Sequence, residues 1–395
     1  MKEATRIGID LAKNIFHLVG MDAGGRVVWR KALARRKLLE FLAQQKAGEV
    51  GMEACATAHY WGREIQRLGH RVKLIHPRFV TPYRKSDKND FNDAEAVAEA
   101  MSRPTMRFVE LKSLAQQDMQ SLHQARRLLI KQRTQSANQL RGLLAEYGVI
   151  APRGLSARRR AVAELSGEPQ RVTPLMAALA AAGVELLAAL ESQRQELDRR
   201  IQQACRSDER CRRLTAIPGV GPLTATAAVA KVGNARQFPN ARALGAFVGL
   251  VPSQHSSGGK TVVGGISKRG DRYLRTLLVH GARAALRTAA QHDDRLSRWA
   301  TALKQKRGAN TAAAALANKH ARIIWKLLST GAAFDPQRPT TAAERAPAAQ
   351  AGASEKSAGP RLALRLEHGR KSRGFFHRPP SASERTAKKI QLRKV

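Results

Sequence analysis

Residues 85–100 read KSDKNDFNDAEAVAEA. Asp87, Asp90, Asp93 and Glu95 crowd into this stretch behind a cluster of cations, in a chain with 70 Lys and Arg against 31 Asp and Glu. DAEAVAEAM has helical spacing, and acids favour the first turn of a helix because the exposed backbone N–H groups carry partial positive charge. Asp90 and Asp93 are three apart, so they share a face. Upstream, TRIGIDLA is a short apolar strand carrying Asp10, and EVGMEA is another that carries Glu53. Carboxylates at neighbouring strand ends, met by a helix start, converge on one point. Left alone they repel and their pKa values rise; a divalent cation removes that penalty. Mg²⁺ takes oxygen ligands and keeps substrate phosphates in its shell, and a pair of such ions serves both oxygens in phosphodiester cleavage. Singly, Asp10 also fits a turn cap, Glu53 a solvated strand end, and Asp90 or Asp93 an N-cap, a task open equally to Asn89 or Asn92. Together the four read as a metal site. Asp87 and Glu95 are assigned to the helix start and its exposed face.

The surroundings suit that reading. IFHLVGMD and GRVVWRKAL, separated by DAGG, have the pattern of a hairpin; a helix is expected from Thr57 to Leu68 with Gly69 as its stop; RVKLIHP and RFVEL are further strands. Residues 1–111 thus read as an α/β domain with a mixed sheet. Residues 112–211 turn helical. Leu122, Leu129, Leu140, Leu143 and Leu144 recur at helical spacing, and Leu175, Leu179, Leu186, Leu190, Leu197 and Ile201 mark one face of a second long helix from about Pro174 to Cys205. The segment APRGLSARRRAVAELSGEPQRV between them is a basic connector. This middle region is an antiparallel hairpin, a dimerising coiled coil or a packed helical spacer. Residues 212–332 form a mostly α unit with Gly-rich turns, and 333–395 a basic, Ala-, Pro- and Ser-rich tail expected to be disordered.

The formal net charge of +39 over 395 residues attracts polyanions, phosphate backbones first among them. No run of about 18 apolar residues and no signal peptide is apparent, so the expectation is an intracellular protein with no membrane partner. Cys55, Cys205 and Cys211 form no CxxC pair, which argues against structural zinc and a disulfide framework.

The third unit carries two motifs. In LTAIPGVGPLTATAAVAKVG, residues 214–233, Gly219 and Gly221 lie in a turn between helical segments, resembling a helix-hairpin-helix whose backbone N–H groups bind phosphate; an ordinary interhelical turn has the same spacing. In FVGLVPSQHSSGGKTVVGGISKRGDRYLRTLL, residues 247–278, GGKT fails as a P-loop because Gln254 stands where the first glycine belongs. What remains is a serine in a flexible, glycine-flanked loop, able to attack a phosphodiester if its proton is taken, with His255 close by. Lys260, Lys268, Arg269, Arg272 and Arg275 would contact backbone phosphates.

GIDLAKN at 8–14, GMEACATAHYW at 51–61, KNDFNDAEA at 88–96, IPGVGPLTA at 217–225 and GLVPSQHSSGGKTVVGGISKRGDRYLRTLL at 249–278 together resemble insertion-sequence transposases of the IS-one-ten group, most closely its IS-eleven-eleven subgroup. The match runs to about residue 330. The resemblance implies an RNase H-like, RuvC-like N-terminal domain whose Asp10, Glu53, Asp90 and Asp93 bind Mg²⁺, and a C-terminal serine transposase domain. The serine of its HxSG pattern falls on Ser257, with Ser256 adjacent. It also implies a covalent phosphoserine intermediate, catalysis by domains of different protomers in a homo-oligomer, and a bridge-type guide RNA that pairs with donor and target DNA. Such a protein would be cytoplasmic and nucleoid-associated in a bacterial host. Sequence choice would then rest in base pairing while the protein reads backbone. Two other functions fit the residues without the resemblance: a metal-dependent, junction-resolvase-like nuclease with water as nucleophile, and a non-catalytic nucleic-acid-binding protein.

Overall fold

The computed structural model describes residues 3–85, 89–150, 154–166, 170 and 172–337. Asp87 and the tail beyond residue 337 lie outside the described residues. The described residues all fall within one compact unit, Met1–Thr340.

The first part is built from β1 (Arg6–Asp10), β2 (Ile15–Met21), β3 (Val27–Ala34), α1 (Leu38–Ala43), β4 (Glu49–Glu53), α2 (Ala58–Arg67), β5 (Arg71–Ile75), α3 (Pro77–Val80), α4 (Asp90–Met101) and β6 (Phe108–Val109). The sheet order is β3-β2-β1-β4-β5-β6. β1, β4 and β5 run parallel in the centre, and β2, β3 and β6 pair antiparallel with their neighbours. Alternation along each strand sorts the two faces. Ile7, Ile9, Phe16, Leu18, Val50 and Met52 point into a core closed by α1 and α2. Val19 and Met21 meet Ala94 and Ala98 of α4 on the other. Gly8 is what lets α4 lie there: a Cβ at that position would stand 2.1 Å from the Ala94 carbonyl oxygen. Asp10, two residues on, faces the same side.

α5 (Leu114–Glu146), α6 (Leu155–Ser166) and α7 (Pro174–Ser207) form the helical middle. A capping box at Ser113 and Gln116 starts α5. Arg126 pairs with Asp198, and Arg133 with Glu191 at 2.5 Å; partners that climb one helix as they descend the other make the pair antiparallel. Among the expected alternatives this is the intrachain helical hairpin. The connector is more than a loop, since α6 packs Val162 and Leu165 into the hairpin's core. The leucine face expected on α7 holds at Leu190 and Ile201, which are buried, and is corrected in the first half: Leu175, Leu179 and Leu186 are exposed, while Met176, Ala180, Val184 and Leu187 are buried. Close approach to α5 decides the matter. Gly183 faces Leu140, and small residues on the inner face bring the backbones together. By length and composition alone α7 would also suffice to cross a membrane.

The last part contains α8 (Glu209–Thr215), α9 (Pro222–Val232), α10 (Ala241–Val248), β7 (Pro252–Ser257), β8 (Lys260–Ile266), α11 (Arg272–Thr288), α12 (Arg295–Arg307) and α13 (Ala309–Thr330). One core, from Cys205 to Leu327, unites these helices with the end of α7. His123 of α5 fastens the unit to the middle region. Its Nδ1 lies 2.9 Å from the Tyr273 hydroxyl and its Nε2 3.0 Å from that of Thr226. The glycine-flanked loop expected around Ser257 is instead a hairpin. Ser257 pairs with Lys260 across Gly258 and Gly259, both at positive φ, the backbone that a two-residue turn between twisted strands demands.

Candidate metal centre and serine hairpin

Asn89 caps α4 by accepting from the Phe91 N–H at 2.9 Å. That leaves Asp90 and Asp93 in the first turn, where the helix dipole favours negative charge. Asp10, at the carboxyl end of the central strand, completes the group: each of the three offers a carboxylate oxygen, and these lie within 4.8 Å of one another. Asp93 is buried, Asp10 half-buried and Asp90 exposed. Glu53 stands on the adjacent parallel strand, one step beyond the Ile9–Met52 pairing and so beside Asp10. Its carboxylate is outside the group of three. Both strand-end acids act on Cys55: partial burial, then the charges of Glu53 and Asp10, push its thiol up.

Two neighbours that sequence reasoning missed border the group. Arg84 Nε lies 2.5 Å from Asp93 Oδ1. His17 is paired with Asp10 across the β1–β2 hairpin. Its Nδ1 is 3.5 Å from Asp90 Oδ2, and its ring stands edge-on to Phe91 at 4.7 Å. The hairpin register could have revealed His17; Arg84 carries no local signal. Glu95 corrects its assignment to an exposed face. Its side chain is 12% exposed and bonded to Arg30 at 2.7 Å and Lys85 at 2.9 Å. Burial pushes its pKa up, but the hydrogen bonds and charges of Lys85 and Arg30 prevail and hold it below the usual range.

The serine hairpin is exposed. Strand alternation puts His255 and Ser257 on one face, with Lys260 and Val262 opposite them. Gln254 and Ser256 share the other, where Gln254 Nε2 donates to Ser256 Oγ at 2.8 Å and Ser256 Oγ donates to Thr261 Oγ1 at 3.3 Å. Ser257 makes no side-chain hydrogen bond among the described residues. Lys260, Lys268, Arg269 and Arg272 are exposed. Arg275 is half-buried and donates to the Val248 carbonyl at 2.7 Å, which gives it a structural task. Gly219 has one too. It sits at φ +83° where a Cβ would come within 2.3 Å of the Gly281 carbonyl oxygen on α11. Gly221, the N-cap of α9, faces open space.

Comparison with known proteins bears directly on these two sites. Residues 211–297 match the model described as "Transposase IS116/IS110/IS902 family", and residues 7–149 match a DEDD transposase model of the same group. The chain is 48% identical over 334 residues to a probable family 20 transposase of Pseudomonas aeruginosa, covering 84% of this chain and 99% of that one. It is 44% identical to the transposase for insertion sequence element IS1111A of Coxiella burnetii, covering 83% and 91%. The transposase for insertion sequence element IS1328 of Yersinia enterocolitica is 40% identical, covering 85% and 99%. The chain belongs to the IS116/IS110/IS902 transposase family.

The two matched regions cover the acid group and the serine hairpin separately. The DEDD match spans Asp10, Glu53, Asp90 and Asp93; the other spans the Gly219 turn, Ser257 and the cations through Arg275. A DEDD transposase domain implies dependence on a divalent metal ion, and the donors fit one. They are all carboxylate oxygens, the hard ligands that Mg²⁺ and Ca²⁺ prefer, gathered within 4.8 Å of one another.

Proposed function

We propose that this transposase cuts and rejoins DNA strands with the carboxylate group at the end of β1 and with Ser257 on the β7–β8 hairpin. The observation that carries the reading is the convergence of Asp10 with Asp90 and Asp93, 80 or more positions further along the chain, to within 4.8 Å. Those residues, with Glu53 from the next strand end, would hold Mg²⁺, which supplies positive charge against that developing on a phosphate. The sheet order and strand directions agree with an RNase H-like, RuvC-like domain.

In this reading Ser257 Oγ forms a bond to a backbone phosphorus while one P–O bond of the DNA strand breaks. The departing oxygen takes up a proton and the serine loses its own, for which His255 on the same hairpin face would serve as acceptor. A second strand's hydroxyl then attacks the phosphoserine and frees Ser257. The exposed Lys260, Lys268, Arg269 and Arg272, with the N-terminal turn of α9 at Gly221, would hold backbone phosphates. A bridge-type RNA of the same element would choose donor and target by pairing, and a homo-oligomer would bring the two domains together from different protomers. The net charge of +39 suits a protein that must hold RNA and duplex DNA at once.

One observation favours a second reading. The Ser257 hydroxyl has no base hydrogen-bonded to it among the described residues, so water could serve as nucleophile, as in a junction resolvase. Incubating the purified full chain with Mg²⁺ and its element's DNA separates the two. Serine chemistry predicts a protein–DNA adduct that resists denaturation and disappears in Ser257→Ala together with cleavage. A water nucleophile predicts cleavage unchanged by that substitution. Cleavage unaffected by Asp10→Asn would overturn both, and no cleavage by the parent at all would leave a protein that only binds.

A further inference from the structure

GMEACATAHYW ends in two aromatic residues for which the acid site has no use. They border an open cleft of about 650 Å³ formed by Asn14, Ala34, Arg35, Arg36, Tyr60 and Trp61. Every element around it leaves the same end of the sheet as Asp10. Asn14 follows β1, Arg35 and Arg36 follow β3, and α2 begins just after β4. The cleft opens on the α2 side and the carboxylates on the α4 side, so a strand crossing the sheet edge would meet both. β3 lies two strands from β1, about 10 Å at the usual spacing, which is about three stacked nucleotides.

The floor is rigid. Trp61 stands edge-on to Phe16 at 5.2 Å, and the Arg35 guanidinium lies 5.0 Å above Trp61 and 5.5 Å above Phe16. Two groups are left exposed on this floor. Tyr60 leans edge-on against Trp61 at 5.1 Å and is 46% exposed. Trp61, 5% exposed, backs that ring. Arg36 is exposed and pairs with no acid among the described residues. An exposed ring and an unpaired guanidinium are together what an unpaired nucleotide requires: a stacking surface and a cation for its phosphate.

We infer that this cleft is a binding site for one unpaired nucleobase and its phosphate, taken from the strand that passes the Asp10 edge, with Tyr60 as the stacking platform. The inference rests on the proposal that a nucleic-acid strand is brought to the carboxylates. The same chemistry is offered by displaced DNA and by guide RNA, and the test distinguishes them.

Single-stranded DNA and RNA of one sequence, each carrying a photoreactive 5-iodouracil at successive positions, are irradiated with the full-length protein, and adducts are mapped by mass spectrometry. Adducts on Tyr60 or Trp61 from one register support the site, and the arm that yields them names the source. In parallel, affinity is measured in about 0.5 M salt, where phosphate attraction is weak. Tyr60→Ala should weaken binding about 5- to 100-fold, the range expected for one stacked base, while Tyr60→Phe keeps it within about twofold. No adduct in the cleft from either nucleic acid, with Tyr60→Ala binding like the parent, overturns the inference. Failure of the broader proposal looks different, because Asp10→Asn would then leave cleavage intact whatever Tyr60 does.

Discussion

Protonation of His320 offers a quantitative check on the core of the C-terminal part. His320, on α13, is fully buried, and neither ring nitrogen has a hydrogen-bond partner among the described residues. Burial lowers its pKa from 6.5 to about 4. The sign follows from linkage: the unfolded chain binds a proton that the folded chain refuses, so this contribution to stability is complete above pH 6.5 and is lost as pH falls toward 4. At pH 5 the unfolded side chain lies 1.5 units below its own pKa while the folded one is still neutral, and at about 1.4 kcal/mol per unit the loss is about 2 kcal/mol. His320→Leu removes the titration and keeps an apolar group of similar size. Urea unfolding of parent and variant at pH 7.5 and 5.0, extrapolated linearly to water, should show the parent losing about 2 kcal/mol more than the variant. Equal losses in the two proteins would refute the reasoning, because both still carry every other titrating group, including His123, whose pKa burial likewise lowers to about 4.

Other substitutions test the remaining parts. Gly219→Ala meets both a left-handed backbone and the Gly281 carbonyl and should cost about 2–4 kcal/mol, read as a lower melting temperature. Glu191, bonded to Arg194 and Arg133, is held at about pKa 2 mainly by its hydrogen bond from Arg194. The group is half-buried at the surface, where solvent still screens it, so Glu191→Gln should cost about 1 kcal/mol at neutral pH and less in high salt. Ser256→Ala breaks the link from Gln254 and should preserve the covalent adduct that Ser257→Ala abolishes; loss of the adduct in Ser256→Ala alone would move the nucleophile one residue upstream.

The N-terminal architecture was legible because each signal was local. Apolar runs bounded by Gly and Pro gave the strands, and helical periodicity gave α4 and the two long helices. The convergence of Asp10 with Asp90 and Asp93 was legible because strand ends and a helix start are the places where such acids meet. What failed depends on tertiary partners. The outward turn of Leu175, Leu179 and Leu186 follows from close contact between α7 and α5, which spacing alone does not encode. Glu95 was read as surface because its partners, Arg30 and Lys85, come from β3 and from the segment before α4. The hairpin around Ser257 was hidden by its many small polar residues, which suit a loop as well as a strand, although two adjacent glycines between VPSQHSS and KTVVGGI were a turn signal. Arg84 reaches Asp93 only through the fold.

The central claim is that Asp10, Asp90 and Asp93 act as one cation site. Titrating Mn²⁺, a spectroscopically visible substitute for Mg²⁺, into the full-length protein and following it by electron paramagnetic resonance tests this most directly. The account predicts a bound ion whose affinity falls at least about tenfold in Asp10→Asn and in Asp93→Asn, because each removes a ligand charge. Mn²⁺ bound with the same affinity and stoichiometry by the parent and both variants, or not bound by the parent at all, would contradict it.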